Sequence, residues 1–314
     1  MKPEVVLMGG LLESVMETLD NDYTVHRYYE SDDSAAMLAS VADRIRAVVT
    51  DGGRGVEKEV LQQLPNVEVV TVFGVGVDAV DLDYCREHSI KVTNTPDVLS
   101  EDVADLAVAL MLAVSRNLVT GDAYARNGSW AQRGPMPLTY KMTGKRAGIF
   151  GMGSIGLQLA QRLSAFNMDV SYCNRNRRSD VEFQYYADIG TMAAEVDFLI
   201  VAASASPGTE NIVNRQVFDK LGPDGTLINI SRGSLVDETD LIAALEAGQI
   251  RAAGLDVFAN EPAIPAALAT LPNVVLQPHA ASATWETRQA MGKVVTDNLE
   301  RFYNNRPLLT EYLR

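Results

Sequence analysis

The fold is decided by one stretch of sequence, Arg146-Ala147-Gly148-Ile149-Phe150-Gly151-Met152-Gly153-Ser154-Ile155-Gly156. An apolar run of strand type ends at Phe150, and an amphipathic helix is predicted to begin near Ile155. A GxGxxG turn in that setting is typical of dinucleotide-binding domains. Its glycines permit the tight turn, the approach of a pyrophosphate and close helix packing, and the helix N-terminus offers N–H groups to the phosphates. An ordinary strand-to-helix turn is the alternative interpretation.

The end of the next strand indicates which dinucleotide binds. Sites that prefer NAD place an acidic residue there to hold the ribose 2′-hydroxyl. This strand ends instead in Asn174-Arg175, followed by Arg177 and Arg178. Guanidinium groups bind a 2′-phosphate through charge-assisted hydrogen bonds, so the sequence favours NADP(H), with NAD(H) still possible. A solvated basic turn on an acidic protein is the alternative.

Outward from this stretch, short β-like runs alternate with helix-like ones, which predicts βαβ units and parallel sheets. The predicted strands are residues 5–8, 45–50, 67–72, 90–93, 146–150, 170–173, 198–202, 226–230, 252–255 and 274–276. The predicted helices are residues 11–19, 35–41, 56–64, 100–119, 155–166, 237–247 and 284–302. We therefore expect an α/β protein with two doubly wound parallel-sheet domains, of Rossmann or flavodoxin-like type. Residues 100–285 would form the dinucleotide-binding domain, and residues 1–99 with 286–314 would bind the substrate.

Composition excludes several classes of protein. The 314 residues carry a formal charge of −14, which argues against nucleic acid and anionic membranes as partners. No apolar run approaches the roughly 18 residues that span a bilayer, and the first residues lack the apolar segment of a signal peptide. The two cysteines, Cys85 and Cys173, have no metal-like spacing. These features predict a cytoplasmic protein without a metal site.

Three ionisable residues follow three successive predicted strands, and they suggest a reaction. Arg232 follows residues 226–230, Glu261 follows 252–255, and His279 follows 274–276. Ligand-facing residues of a doubly wound sheet lie past the carboxyl ends of its strands. Reduction of a 2-oxo acid needs a cation for the carboxylate and carbonyl, and a proton donor for the developing alkoxide. A carboxylate beside an imidazole favours the protonated ring, so Glu261 and His279 would be the acid–base pair. Each residue taken singly could instead be a capping or turn residue.

These residues belong to a set of ordered motifs that resembles the D-isomer-specific 2-hydroxyacid dehydrogenase family, most closely its glyoxylate/hydroxypyruvate reductase branch. The motifs are Gly74-Val75-Gly76-Val77-Asp78, Thr95-Pro96-Asp97-Val98-Leu99, Glu101-Asp102-Val103-Ala104-Asp105, Gly151–Gly156, Ser231-Arg232-Gly233, Gly254-Leu255-Asp256-Val257-Phe258, Asn260-Glu261-Pro262 and Pro278-His279. The resemblance implies that Arg232, Glu261 and His279 form the catalytic triad. It also implies an active-site cleft between the domains, a homodimer, and residues 284–302 packed on the first domain. Ala280-Ala281 departs from the pattern, because many relatives carry glycine second after the histidine.

The resemblance completes the predicted site. The substrate contacts are Val75, Gly76, Arg232 and His279, with the backbone amides around Val75 and Gly76 holding the substrate carboxylate. Asp256 is expected to meet the nicotinamide carboxamide. The predicted cofactor contacts are Gly151, Gly153, Ser154, Ile155, Gly156, Asn174, Arg175, Arg178, Ile230 and Asp256.

The sequence thus predicts an NADPH-preferring reductase of small 2-oxo acids, resembling glyoxylate or hydroxypyruvate, that yields D-2-hydroxy acids with His279 as general acid/base. One alternative is another dehydrogenase chemistry of the same family, of phosphoglycerate, phosphite or formate type. A second is a non-catalytic interaction protein that senses NAD(P) with the same fold, since fold by itself does not fix function.

Overall fold

The computed structural model describes residues 2–313, which fold into two compact units. One unit comprises Met1–Leu99 with Ser282–Arg314, and the other comprises Ser100–Ala281. The chain therefore returns to the first unit between residues 281 and 282, not between 285 and 286 as the sequence suggested. The reason is that Thr284 caps the C-terminal helix by accepting the Thr287 N–H at 3.2 Å, and a cap belongs with its helix.

The first unit is built on a parallel sheet of five strands in the order β2-β1-β3-β4-β5. The strands are β1 (Glu4–Leu7), β2 (Thr24–Arg27), β3 (Ala47–Asp51), β4 (Val69–Phe73) and β5 (Lys91–Thr93). Its first helices are α1 (Glu13–Asp22), α2 (Ser34–Val41), α3 (Lys58–Leu61) and α4 (Leu82–Glu87). Central strands such as β3 and β4 are almost continuously buried, because helices cover both faces of a parallel sheet.

The second unit holds a parallel sheet of seven strands in the order β12-β11-β10-β9-β6-β7-β8. Its strands are β6 (Arg146–Phe150), β7 (Asp169–Cys173), β8 (Gln184–Tyr186), β9 (Phe198–Val201), β10 (Thr226–Asn229), β11 (Ala252–Leu255) and β12 (Val274–Leu276). Its helices are α5 (Ser100–Arg116), α6 (Leu118–Arg126), α7 (Ser129–Arg133), α8 (Ser154–Ala165), α9 (Ile189–Ala193), α10 (Arg215–Leu221), α11 (Glu238–Glu246) and α12 (Ala266–Thr270). The strand order reverses between β6 and β9, which is where doubly wound sheets bind their ligands.

Two parallel-sheet α/β domains were predicted, and both are present. The long helix expected to run from residue 100 to about 119 is shorter than predicted, because α5 ends at Arg116. Asn117 then adopts a left-handed conformation, with φ of 50°, before α6 begins. Asparagine tolerates that conformation better than most residues, so it can end one helix and redirect the chain.

The apolar helix α5 is a core helix of the second unit, and eight of its 17 residues are buried. Within residues 2–313 no single helix has the length and hydropathy needed to cross a membrane. Only α5 and α6 taken together meet that criterion, on length and composition alone, with a bend of 59° between them.

The C-terminal helix α13 (Trp285–Tyr303) packs against β4 and α1 of the first unit. It buries Met291, Val295 and Leu299. A Cβ placed on Gly292 would lie 2.1 Å from Cγ2 of Val15, so the two helices touch where only glycine fits. The Tyr303 hydroxyl donates to the Glu4 carbonyl at 2.9 Å, which ties the end of α13 to β1.

Candidate active site

The three glycines of the turn after β6 occupy their positions for different physical reasons. Gly151 has a φ of 105°, and a Cβ there would lie 2.4 Å from the Ala203 nitrogen. A Cβ on Gly156 would lie 2.3 Å from the Gly151 carbonyl oxygen, so α8 sits tightly on the turn. Gly153 differs, because a Cβ there would meet no atom within 4 Å. The first and third glycines are therefore required by the fold, whereas the second leaves the surface of the turn open.

This turn fits a dinucleotide. Gly153 is the N-cap of α8 and has no side chain to cover the first N–H groups of the helix. Those groups and the positive end of the helix dipole face the open surface above Gly153, where a pyrophosphate can approach. The turn also lies at the reversal of strand order, between β6 and β9.

The basic segment after β7 is tied to the glycine turn. Asn174 Oδ1 accepts the Met152 N–H at 2.7 Å, and Arg178 Nη1 donates to the Met152 carbonyl at 2.8 Å. Arg178 also forms an ion pair with Asp180, which raises the pKa of the arginine. Asn174 and Arg178 therefore hold the turn in place in addition to any contact with a ligand.

Arg175 and Arg177, in contrast, are exposed. Among residues 2–313 their guanidinium groups form no hydrogen bond or ion pair, so both remain available to an anion. The Tyr185 hydroxyl holds the basic segment by donating to the Asn174 carbonyl at 3.2 Å. The sequence singled out Arg175 and Arg178, and the structure gives those two arginines different surroundings.

Two predicted cofactor contacts lie deeper than the glycine turn. Ile230 follows β10, is 5% exposed, and donates its N–H to Val201 at 3.2 Å. Asp256 follows β11 and has no exposed surface. Its carboxylate accepts the N–H groups of Ala280 at 2.7 Å and Ala281 at 3.0 Å. Burial raises the pKa of Asp256 despite these two hydrogen bonds. Its contact with a nicotinamide stays a prediction.

Asp256 has a second role that the sequence did not reveal, because it fixes the backbone of the predicted acid–base residue. His279 has a φ of 52°, which is uncommon for a residue with a side chain. Its N–H donates to the Asp256 carbonyl at 2.8 Å, while the Asp256 carboxylate holds the two N–H groups that follow. These three bonds offset the strain of the left-handed conformation and hold the imidazole at the strand end.

The imidazole and the carboxylate predicted to pair do so. His279 Nδ1 lies 2.6 Å from Glu261 Oε2, and Glu261 Oε1 accepts the Phe258 N–H at 3.0 Å. The His279 side chain is 40% exposed, so the ring is accessible and its Nε2 can meet another partner. Partial burial by itself would raise the pKa of Glu261. The hydrogen bonds from His279 and Phe258 and the charges of His279 and Arg232 outweigh that effect and lower it.

The loop carrying Arg232 meets the loop carrying Glu261 at Gly233. A Cβ on Gly233 would lie 1.9 Å from the Phe258 carbonyl carbon, so only glycine permits this contact. Arg232 itself is partly buried, and its Nη1 donates to the Ser231 carbonyl at 2.9 Å. Because β10, β11 and β12 are neighbours, Arg232, Glu261 and His279 gather at one edge of the sheet.

The predicted substrate loop of the first unit follows β4. Val75 and Gly76 are partly exposed, and among the described residues neither backbone N–H donates to another group. The loop is held from the adjacent strand end, where Asn94 Nδ2 donates to the Val75 carbonyl and the Thr95 N–H donates to the Gly74 carbonyl, both at 2.8 Å. Two consecutive N–H groups are thus presented by a braced loop, which suits a carboxylate.

Sequence reasoning missed the two asparagines that support these loops. Asn94 is 7% exposed and Asn229 is 1% exposed. Asn229 Nδ2 donates to the Arg232 carbonyl at 2.9 Å, and its Oδ1 accepts the Ser231 N–H at 3.1 Å. The only hint in the sequence was a polar amide at the end of a buried apolar strand. No cluster of three or more His, Cys, Asp or Glu side chains suited to a metal occurs among residues 2–313.

Comparison with known proteins agrees with this geometry. Residues 108–281 match the family described as D-isomer specific 2-hydroxyacid dehydrogenase, NAD binding domain. The matched stretch contains the glycine turn, the basic segment and all three ionisable residues of the second unit.

The similarity also extends over the whole chain. Hydroxyphenylpyruvate reductase of Plectranthus scutellarioides is 44% identical over 98% of this chain and 97% of its own length. The 2-ketogluconate reductase of Gluconobacter oxydans is 44% identical over 98% of each chain. The crystal structure of an NADPH-dependent glyoxylate/hydroxypyruvate reductase from Sinorhizobium meliloti, in complex with NADP and malonate, superposes with a TM-score of 0.94. That protein is 39% identical, and the match covers 99% of this chain and 97% of its own.

Proposed function

Because the chain belongs to the D-isomer-specific 2-hydroxyacid dehydrogenase family and is an NAD(P)-dependent oxidoreductase, we propose that it reduces small 2-oxo acids such as glyoxylate and hydroxypyruvate to D-2-hydroxy acids, with NADPH preferred. The observation that carries the proposal is the exposed His279 ring held 2.6 Å from Glu261, on the same sheet edge as Arg232. The second unit would bind the dinucleotide and the first the substrate.

His279 is the general acid of the proposed reaction. With Nδ1 bound to Glu261, its Nε2 is the nitrogen that can donate a proton to the substrate oxygen. Glu261 orients the ring through the hydrogen bond to Nδ1, and its lowered pKa keeps the carboxylate charged at neutral pH. A bound reduced nicotinamide supplies the hydride for the 2-carbon.

Arg232 and the loop after β4 are the substrate-binding groups. A guanidinium binds carboxylate and carbonyl oxygens and stabilises the negative charge that develops on the carbonyl oxygen. The N–H groups of Val75 and Gly76 would hold the substrate carboxylate. No metal is needed for these steps, because the cation is supplied by Arg232.

The preference for NADPH is proposed from Arg175 and Arg177, which are exposed and suited to a 2′-phosphate. The Sinorhizobium meliloti relative is described as NADPH-dependent, which supports the proposal. No acidic residue occupies the end of β7, where an NAD site would place one.

Replacing Arg175 with alanine should raise the KM for NADPH about 10-fold and leave the KM for NADH nearly unchanged. The variant loses one charge-assisted hydrogen bond to the 2′-phosphate, and only NADPH carries that phosphate. Arg178→Ala serves as the comparison, because it removes the bond to the Met152 carbonyl and should weaken both cofactors. Steady-state kinetics with each cofactor measures the effect. Equal changes with NADPH and NADH in Arg175→Ala would contradict the assignment.

The proposed activity is tested by following NADPH and NADH oxidation with a panel of 2-oxo acids of graded size. We expect glyoxylate and hydroxypyruvate to be reduced, with NADPH giving the higher kcat/KM. Oxidation of phosphoglycerate, formate or phosphite without 2-oxo acid reduction would favour another chemistry of the family. Cofactor binding without turnover of any substrate would favour the non-catalytic sensor.

We further propose that the protein is cytoplasmic and forms a homodimer. The cytoplasmic location is proposed from Cys85 and Cys173, which are buried free thiols. Burial raises the pKa of each to about 11, which suits a reducing compartment. Light scattering on the purified chain would measure the mass, and a mass of one chain would refute the dimer.

A further inference from the structure

The carboxyl edge of the sheet in the first unit carries two polar side chains that the reaction described above does not use. Tyr29 follows β2, and Arg54 follows β3. Between these two strands lies β1, which is followed by Gly9 and Gly10. We call the cluster formed by the buried Gly9, the exposed Gly10, Tyr29 and Arg54 the glycine trough.

The two side chains lie over the two glycines. A Cβ on the buried Gly9 would lie 3.0 Å from Asp51 Oδ2, and 3.4 Å from Cδ and 3.6 Å from Nη1 of Arg54. A Cβ on Gly10 would lie 3.6 Å from the Tyr29 hydroxyl oxygen. The Arg54 guanidinium and the Tyr29 hydroxyl therefore lie on either side of the end of β1, and the Asp51 carboxylate lies beside them.

Arg54 is presented by a rigid loop. Its backbone N–H and that of Gly53 both donate to Asp51 Oδ1, at 2.8 and 2.9 Å. Gly55 has a φ of 63°, and a Cβ there would lie 1.8 Å from the Ala79 carbonyl oxygen, so the end of the loop packs on the loop after β4. The loop fixes the backbone position of Arg54, while the Arg54 side chain remains exposed.

The charge of Arg54 has no counterpart in the described chain, where its guanidinium forms no hydrogen bond or ion pair. Several exposed arginines of this protein pair with a carboxylate, for example Arg44 with Glu4 and Arg86 with Asp83. Among residues 2–313, other exposed arginines such as Arg175 and Arg177 also lack an acidic partner. An anionic or hydrogen-bond-accepting ligand would satisfy the Arg54 guanidinium.

The trough adjoins the loop proposed to hold the substrate carboxylate. The Gly52 N–H donates to the Phe73 carbonyl at 3.3 Å, and a Cβ on Gly74 would lie 3.3 Å from the Gly52 nitrogen. Gly52 and Arg54 are two residues apart, which spans at most about 7 Å of chain. The loop that carries Arg54 therefore lies directly beside the loop that carries Val75 and Gly76.

We propose that Arg54, assisted by the Tyr29 hydroxyl, binds the end of the substrate remote from its carboxylate and selects 2-oxo acids whose tail carries an oxygen acceptor over those with a hydrocarbon tail. This inference rests on the proposed function, because it assigns the substrate class of the same site. It makes Arg54 a specificity residue outside the triad. Hydroxyl and carboxylate tails share the required chemistry, and the experiment separates them.

The test compares pairs of substrates that match in size but differ in tail polarity. Hydroxypyruvate is paired with 2-oxobutyrate, and oxaloacetate with 4-methyl-2-oxopentanoate, in full kinetics on the purified chain with NADPH. In Arg54→Ala the preference for the oxygen-bearing member, as a ratio of kcat/KM values, should fall about 10-fold, the scale of one charge-assisted hydrogen bond. Arg54→Lys should retain part of the preference for oxaloacetate, and Tyr29→Phe should lower the preference for hydroxypyruvate by a smaller factor.

Arg86→Ala is the matched control, because Arg86 is an exposed arginine of the same unit whose partner is Asp83. Its ratios should equal those of the unmodified protein. Unchanged ratios in Arg54→Ala, or an equal loss with glyoxylate, which has no tail, would overturn the assignment of Arg54. Failure of the unmodified protein to reduce any of these acids would instead overturn the proposed function.

Discussion

We expect His279→Ala to lower kcat by about 10²–10⁴-fold, the range that a positioned general acid contributes. In the variant no side chain can donate a proton from the position that His279 Nε2 occupies, and Glu261 loses the partner 2.6 Å away. Cofactor affinity should change little, because the glycine turn and the basic segment follow β6 and β7, which lie four and five places along the sheet from β12. The kcat is measured under saturating NADPH and glyoxylate, and cofactor affinity by fluorescence titration.

His88→Ala provides the control for this experiment. His88 is an exposed histidine of the first unit whose ring stacks on Tyr84, with centroids 3.9 Å apart. Its removal should leave turnover unchanged. Normal turnover in His279→Ala would refute the acid role, and a loss of NADPH binding together with turnover would show that the residue supports the fold instead.

Arg232→Ala should lower kcat/KM for glyoxylate by about 10²–10³-fold, the loss seen when one group that stabilises a developing oxyanion is removed. We expect both constants to change, with KM raised because the carboxylate is oriented less well and kcat lowered because the carbonyl is polarised less. Lysine at this position should recover only part of the loss, since it is a point charge without the planar fork of a guanidinium. Steady-state kinetics of the two variants measures these effects.

Arg215→Ala is the matched control, because Arg215 is an exposed arginine of the second unit at the start of α10. Its kinetics should equal those of the unmodified protein. A change confined to thermal stability in Arg232→Ala, with kcat/KM intact, would leave Arg232 as a structural residue of the loop that packs on Phe258.

Strands and helices whose bounds depend on short runs of neighbouring residues could be predicted from the sequence. β6 and β11 have the bounds expected from their apolar runs, because a buried parallel strand shows as a short continuous apolar segment. β12 is a partly buried edge strand, and it also has the expected bounds because its three residues are all apolar. β2 and β8 were missed. Both lie at sheet edges and are only partly buried, so their residues lack that pattern. The helix predicted at residues 56–64 is only a single turn, α3, because it has no side-chain N-cap and no long apolar face.

Among the predicted site residues, local sequence could not distinguish Arg175 from Arg178. Both are arginines in one short basic segment, yet Arg178 is paired with Asp180 and bound to Met152, while Arg175 is exposed. The difference arises from the way the segment folds back over the glycine turn. Asp256 shows the same limit, because nothing in its motif reveals that its carboxylate holds the two N–H groups after His279.

The sequence by itself determined the parallel α/β architecture, the glycine turn and the strand ends that carry Arg232, Glu261 and His279. These follow from apolar periodicity and turn chemistry, which act over a few neighbouring residues, and from the rule that parallel strands share a carboxyl edge. Only the tertiary structure decided which polar groups are occupied and which remain available. Hydrogen-bond partners such as Asp256 and Ala280 are far apart in the chain, and their pairing depends on how whole strands align. The 2.6 Å separation of Glu261 and His279, whose pairing the sequence predicted, and the solvent exposure of Arg54 were settled at that level.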